Sequence, residues 1–191
     1  MRKIVFDIET SNTFSDVGSG NPADLDISVV CLHDSATDEY HSFLQEDFSK
    51  LWKFIEGADM LIGYNSDHFD IPLLDKYYPG DLTTIKSLDL LKEIHASLGR
   101  RIKLDAVAQA TLGEKKSGHG LQAITWWHAG EKQKVIDYCI QDVKVTKNVY
   151  EYAMKHGKVK YKDLSKIKDI QLDTSKWGDK EASTLTHTLP F

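Results

Sequence analysis

Alternating hydrophobic and polar positions predict a strand at the start of the chain. In KIVFDI, residues 3–8, the isoleucines and the phenylalanine recur at every second position and therefore share one face. Asp7 and Glu9 are also two residues apart, so both carboxylates lie on the opposite face near the end of this strand. An otherwise apolar strand that carries two neighbouring acids is a candidate functional site.

The hydrophobic pattern of the remaining chain predicts further strands and helices. Strands are predicted at 27–32, 39–44 and 58–65, with a short one before Asp89; helices are predicted at 47–57, 68–78, 104–113 and 131–155, with another beginning near Asp89. The first three strands are expected to form an antiparallel meander, and the later strands alternate with helices. This order predicts an α/β domain, with a central mixed sheet flanked by helices.

The longest predicted helix carries one acid on its apolar stripe. The stripe has gaps of three and four residues and consists of Val135, Tyr138, Asp142, Val145, Val149 and Tyr152. A carboxylate on a core-facing stripe is unfavourable unless it is paired or binds a metal. Asp142 could pair with an arginine or with the hydroxyl of Tyr138, which lies one turn earlier; the chain has only three arginines.

Asp70, in the segment NSDHFD, follows a predicted buried strand and opens a helix. The carboxyl end of a strand in an α/β sheet is a common place for a functional site. Asp70 also suits the first turn of a helix, where the helix dipole favours an acid. By itself, Asp70 is interpreted more simply as a helix-start residue.

A shared metal site is the better interpretation when four acids are considered together: Asp7, Glu9, Asp70 and Asp142. Four carboxylates in one pocket would repel each other strongly unless cations neutralised them. Mg²⁺ and Mn²⁺ prefer carboxylate oxygens. Two such ions, ~3.5–4 Å apart, stabilise the attacking and leaving oxygens in phosphoryl displacement. The residues therefore favour metal-dependent phosphoryl displacement.

Composition restricts the class of protein. The chain has 191 residues, of which 41% are hydrophobic and 28% charged, and its net charge is −5. These values are typical of a soluble globular domain, and the negative charge argues against a protein that coats nucleic acid non-specifically. No apolar run approaches the ~18 residues of a membrane span. Two cysteines without a CxxC motif favour a reducing compartment, and we expect a cytoplasmic protein.

Three short motifs resemble those of a known nuclease family. DIE in FDIETSN, NxxxFD in NSDHFD and YxxxD in YCIQD occur in the order and at the intervals of the DEDD 3′–5′ exonucleases. The tyrosine four residues before the last aspartate makes the chain similar to the DEDDy branch. YCIQDVKVT is especially similar to the proofreading domain of family B DNA polymerases. The resemblance covers roughly residues 1–155, and 191 residues leave no room for a polymerase domain.

The resemblance implies a ribonuclease-H-like three-layer fold and a two-metal 3′–5′ exonuclease, with Mg²⁺ or Mn²⁺ as cofactors. By analogy Asp7, Glu9 and Asp142 hold one ion, Asp7 bridges to the second, and Asp70 supports that second ion. Tyr138 would orient the attacking water. The implied substrate is the 3′ end of a single-stranded nucleic acid, with DNA favoured over RNA but the choice left open, a replication or repair protein as a possible partner, and no membrane.

The resemblance extends to three substrate-binding candidates. Thr10 and Phe69 lie beside proposed metal ligands, and Asn65 matches the leading polar position of its motif. Phe69 is interpreted more simply as a core residue. Two alternatives to an exonuclease remain open: an inactive nucleic-acid-binding or partner-docking module of the same fold, and an endonuclease or RNA-trimming enzyme.

The sequence predicts a domain boundary after the longest helix. Residues 1–156 are expected to form the nuclease-like domain, and residues 157–191 a lysine-rich appendage with a polar tail. The lysines could guide a single strand, or they could keep an edge hairpin soluble.

Overall fold

A five-stranded mixed sheet forms the centre of the molecule in the computed structural model, which describes residues 1–114 and 120–178. The strand order is β3-β2-β1-β4-β5, with bounds Lys3–Thr10 for β1, Ile27–Asp34 for β2, Glu39–Phe43 for β3, Met60–Gly63 for β4 and Ser87–Asp89 for β5. The pairs β1–β2 and β2–β3 are antiparallel, as the predicted meander requires. The pairs β1–β4 and β4–β5 are parallel.

Helices cover both faces of this sheet. Their bounds are Phe14–Val17 for α1, Phe48–Glu56 for α2, Asp70–Asp75 for α3, Leu90–Leu98 for α4, Leu104–Leu112 for α5, Gly120–His128 for α6 and Lys132–His156 for α7. Three short 3₁₀ turns at Pro22–Asp24, Gln45–Asp47 and Leu82–Thr84 complete the connections in this part of the chain. After α7, the strands β6 (Lys158–Asp163) and β7 (Lys166–Gln171) form a separate antiparallel hairpin.

The alternation of β1 separates two hydrophobic cores. Ile4, Phe6 and Ile8 pack with α2 and α3 on one face of the sheet. Val5 lies on the other face, with a core built from β2, β4 and helices α4 to α7. The predicted α/β architecture with three layers is therefore confirmed, and Asp7 and Glu9 point toward the layer that contains α7.

Two elements are markedly shorter in the structure than the sequence pattern predicts. The strand expected at 58–65 ends at Gly63, where a Cβ would clash with the Ser66 side chain, and Asn65 then adopts a left-handed φ of 69°. The helix expected at 68–78 covers only Asp70–Asp75. Lys76 and Tyr77 form a turn after the helix, and Pro79 disfavours helical conformation at Tyr78, so the helix does not reach its predicted end.

Helix α6 has no counterpart in the sequence prediction. Its second half, ITWWH, is β-branched and aromatic, which lowers its intrinsic helix propensity. Ala123 is fully buried among residues of β1, α5 and α7, so tertiary packing stabilises the helix. None of the helices in the described part of the chain is both long and apolar enough to cross a membrane.

Candidate metal centre

The end of β1 and the first half of α7 bring three carboxylates together. One oxygen from each of Asp7, Glu9 and Asp142 lies within 4.8 Å of the other two. Glu9 and Asp142 are buried, at 8% and 7% exposure, and Asp7 is half-buried. Residues separated by about 130 positions in sequence thus form one acidic pocket.

The stripe of α7 explains why Asp142 faces this pocket. Val135, Tyr138, Val145 and Val149 are all buried on the same side of the helix, against β1 and β2. Because Asp142 belongs to the same stripe, packing of these neighbours directs its carboxylate inward. The three arginines of the chain have contacts elsewhere: Arg2 pairs with Asp34, Arg100 lies against Asp163 and Arg101 donates to the side-chain oxygen of Asn65.

Asp70 lies next to the acidic pocket but outside the group of three. It is the first residue of α3 and 5% exposed, and the backbone N–H groups of Asp70 itself and of Ile8 donate hydrogen bonds to its carboxylate. Burial, with a smaller contribution from the nearby charge of Asp89, raises the pKa of Asp70 to about 7, although both hydrogen bonds act in the opposite direction. Ile8 separates Asp7 from Glu9 in sequence, so Asp70 adjoins the strand end that carries both acids.

Asp89 organises the loop that leads to Asp70, a role that sequence reasoning missed. Its Oδ1 accepts hydrogen bonds from the backbone N–H groups of Asn65 (2.7 Å) and Leu91 (2.9 Å), and more distantly from Lys92 (3.4 Å). Its Oδ2 accepts from the N–H of Asp67 at 3.2 Å. One buried carboxylate thereby caps α4 and fixes the 65–69 loop. The aspartate between a short strand and a helix in SLDLL was the available signal.

Tyr138 lies one helical turn before Asp142 on the inner face of α7, at 6% exposure. Its ring contacts Trp126 of α6 edge to face, with centroids 6.2 Å apart. Because α6 packs on both β1 and α7, this tryptophan restricts the position of the phenol ring. The tyrosine is therefore held at the edge of the acidic pocket by packing.

The two cysteines lie behind the pocket and are both free and buried. The Cys139 thiol donates to the carbonyl oxygen of Asp7 at 3.4 Å and lies 3.7 Å from Asp7 Oδ2. Burial raises the pKa of Cys139, and its hydrogen bond to Cys31 raises it further. Cys31 is directly opposite Asp7 on the neighbouring strand. The two cysteine side chains thus lie next to Asp7, one on α7 and one on β2.

The three substrate-binding candidates lie around the same strand end in different settings. Thr10 is buried, follows an irregularity in the β1–β2 register, and donates from its hydroxyl to the Asn12 carbonyl at 2.9 Å. The side-chain oxygen of Asn65 accepts a hydrogen bond from Arg101. Phe69 is partly buried against the α2–α3 core, in agreement with the simpler interpretation, and it contacts the exposed ring of Phe14 edge to face.

The donor set of the pocket suits a hard divalent cation. Three carboxylate oxygens within 4.8 Å match the oxygen ligands that Mg²⁺ and Mn²⁺ prefer. The nearby Cys139 sulfur belongs to a thiol whose burial disfavours the thiolate form that a soft metal requires. The acidic cluster could therefore bind a divalent metal.

Comparison with known proteins defines the class. The chain belongs to the RNase_H superfamily, whose family model matches residues 4–154. Membership of this superfamily supports a nuclease activity, and a nuclease must bind nucleic acid.

Among solved structures, the chain is similar to the family B DNA polymerase from the hyperthermophilic archaeon Pyrobaculum calidifontis. The sequence identity is 20% and the TM-score 0.61, and the match covers 81% of this chain and 24% of that one. The chain thus spans about a quarter of the polymerase chain, and the likeness is one of fold. No curated protein matches the sequence.

Proposed function

We propose that the protein is a metal-dependent 3′–5′ exonuclease that removes nucleotides from the end of a single strand, with DNA favoured over RNA. The observation that carries this proposal is the convergence of Asp7, Glu9 and Asp142 beside a buried tyrosine. Superfamily membership supports the nuclease part. The direction of degradation and the choice of DNA rest on the motif resemblance and on the polymerase-like fold.

We assign Asp7, Glu9 and Asp142 to one cation, and Asp70 together with Asp7 to a second. Bound cations would acidify a water molecule and neutralise charge that develops on the phosphate. Tyr138 would hold the attacking water through its hydroxyl, since its ring is fixed by Trp126. Asn65 and Thr10 would position the terminal nucleotide, with Phe69 against its base or sugar.

Asp89 and Cys139 would support this arrangement without touching the substrate. Asp89 holds the loop that carries Asn65, through hydrogen bonds of 2.7 and 3.2 Å to backbone N–H groups. Cys139 fixes the backbone of Asp7. A possible replication or repair partner and a cytoplasmic location belong to the same proposal.

The test compares oligonucleotides labelled at either end. With Mn²⁺, a 3′-labelled single strand should release labelled mononucleotide at once, and a 5′-labelled strand should give a ladder that shortens with time. Matched DNA and RNA strands measure the substrate preference. EDTA and the variant Asp142→Asn should abolish both signals, while Asp137→Asn, on the exposed face of the same helix, should behave like the wild type.

The alternatives give different results in the same assay. An endonuclease would linearise closed circular single strands, which an exonuclease leaves intact. An inactive binding module would retain the oligonucleotide without shortening it. Early release of a 5′ label, or activity that persists in EDTA, would contradict the proposal.

A further inference from the structure

The β6–β7 hairpin is firmly attached to the domain by its inner face. Val159, Tyr161 and Ile170 are buried in the core beneath α5 and α7. The backbone N–H of Lys160 donates to the Thr111 hydroxyl at 2.9 Å, and that hydroxyl donates to the Lys160 carbonyl at 3.3 Å. The hairpin therefore presents its outer face in a fixed orientation.

The hairpin as a whole is positively charged, in contrast to the whole chain. Residues 158–171 contain five lysines and two aspartates, a net charge of +3, whereas the chain carries −5. Lys158 and Lys168 are paired with the aspartates. Within residues 1–114 and 120–178, Lys162 and Lys166 take part in no ion pair.

The hairpin tip, defined as residues 162–167, also exposes apolar side chains. Leu164 is 93% exposed and Ile167 is 54% exposed. Leu164 has a φ of 54°, a left-handed conformation that glycine and asparagine adopt far more readily than leucine. Folding alone would thus favour another residue here, and the leucine gains nothing from burial. Ile167 lies directly opposite Lys162 on the outer face.

Two consecutive arginines connect this hairpin to the loop beside the metal centre. The Arg100 guanidinium lies over the ring of Tyr161 at 5.3 Å and 4.0 Å from the Asp163 carboxylate. Arg101 donates to the side-chain oxygen of Asn65. A basic surface thus runs from Asn65 over the arginines to the hairpin lysines.

We infer that the hairpin tip is a second contact surface for the single strand whose 3′ end lies at the metal centre. Lys162, Lys166 and Arg100 would contact phosphates, and the Leu164 side chain would contact the bases or sugars. Positive charge on an otherwise acidic molecule is complementary to a phosphate backbone. Apolar side chains, leucine among them, contact bases directly in proteins that insert them between the base steps of duplex DNA. This inference rests on the proposed function, because it extends the path of the same substrate.

Binding without catalysis tests the inference. Fluorescence anisotropy in EDTA measures the affinity of single-stranded DNA of 4 and 16 nucleotides, which covers the usual range of single-strand site sizes. The variant Lys162→Ala/Lys166→Ala is compared with Lys50→Ala/Lys53→Ala, which removes equal charge from α2 on the opposite face of the sheet.

The hairpin variant should lose about 25-fold in affinity for the 16-mer at 0.1 M salt, and its salt slope should fall by about 1.4, since each single-strand phosphate contact contributes ~0.7 to that slope. Its affinity for the 4-mer should change little. Leu164→Gly should also weaken 16-mer binding, while its melting temperature equals or exceeds that of the wild type because glycine suits a φ of 54°. A folding defect would therefore be distinguishable from a lost contact.

Equal 16-mer affinities for the hairpin variants and the α2 control would overturn the inference. That result would leave the hairpin as a charged edge that keeps the domain soluble, or as a surface for a protein. The proposed nuclease function is judged separately, by whether the wild type degrades the 4-mer with Mn²⁺. Failure of one proposal is thus not mistaken for failure of the other.

Discussion

Replacement of Asp70 by asparagine is expected to stabilise the metal-free protein. Asp70 is 5% exposed, and burial raises its pKa from the ordinary value of 3.8 to about 7. At pH 8 the folded protein must therefore hold a buried negative charge. Asparagine has nearly the same shape and keeps an oxygen that can accept the hydrogen bonds from the Asp70 and Ile8 N–H groups, but it carries no charge.

The pKa difference sets the size and the pH range of the effect. Each pKa unit is worth about 1.4 kcal/mol, so a rise from 3.8 to about 7 lowers the free energy of unfolding by about 4 kcal/mol once Asp70 is fully ionised. Between these two pH values the unfolded chain has lost the proton and the folded chain retains it, so stability falls as pH rises. The advantage of Asp70→Asn should be near zero around pH 3.5 and complete at pH 8.

Urea denaturation in EDTA, followed by tryptophan fluorescence, measures the difference. Asp34→Asn is a matched control with the opposite sign. Asp34 is also buried, but its hydrogen bonds with the Arg2 guanidinium, at 3.0 and 2.7 Å, lower its pKa. Asp34→Asn should therefore destabilise the protein at pH 8, and this loss should shrink as pH falls toward the acidic pKa.

Mn²⁺ should reverse the order of stability, so that the wild type becomes more stable than Asp70→Asn. Bound cations stabilise a folded protein in proportion to their affinity, and the wild type should gain more from Mn²⁺ than Asp70→Asn does. The reasoning would be refuted if Asp70→Asn in EDTA were no more stable than the wild type at pH 8, or if its advantage were the same at pH 4 and pH 8. Either result would mean that Asp70 carries no unfavourable buried charge.

Three further changes follow from the same geometry. Asp142→Asn should abolish Mn²⁺ binding in calorimetry while Asp137→Asn preserves it, because only Asp142 faces the acidic pocket. Tyr138→Phe should lower kcat roughly 10- to 100-fold with unchanged Mn²⁺ affinity, since it removes a water-orienting hydroxyl but leaves the carboxylates; an unchanged kcat would exclude Tyr138 from the reaction. Asp89→Ala should lower the free energy of unfolding by about 2–4 kcal/mol, because backbone N–H groups lose their acceptor, and a fully stable variant would contradict that reading.

The sequence alone determined the local elements and the direction of individual side chains. Strand periodicity placed Asp7 and Glu9 on one face, and helical periodicity placed Asp142 on the stripe of α7. These inferences succeed because each depends only on the geometry of one element. Helix α6 escaped this reasoning, since contacts with β1 and α7 outweigh the weak helix propensity of ITWWH.

Only the tertiary structure decided which side chains meet. Packing of α7 on β1 brings Asp142 to Asp7 and Glu9, and folding over Asp70 excludes water and raises its pKa. The loop role of Asp89 and the link from Asn65 through Arg101 join segments that are distant in sequence. Such contacts depend on burial and on how separate elements are oriented, and neither quantity is encoded in the periodicity of a single segment.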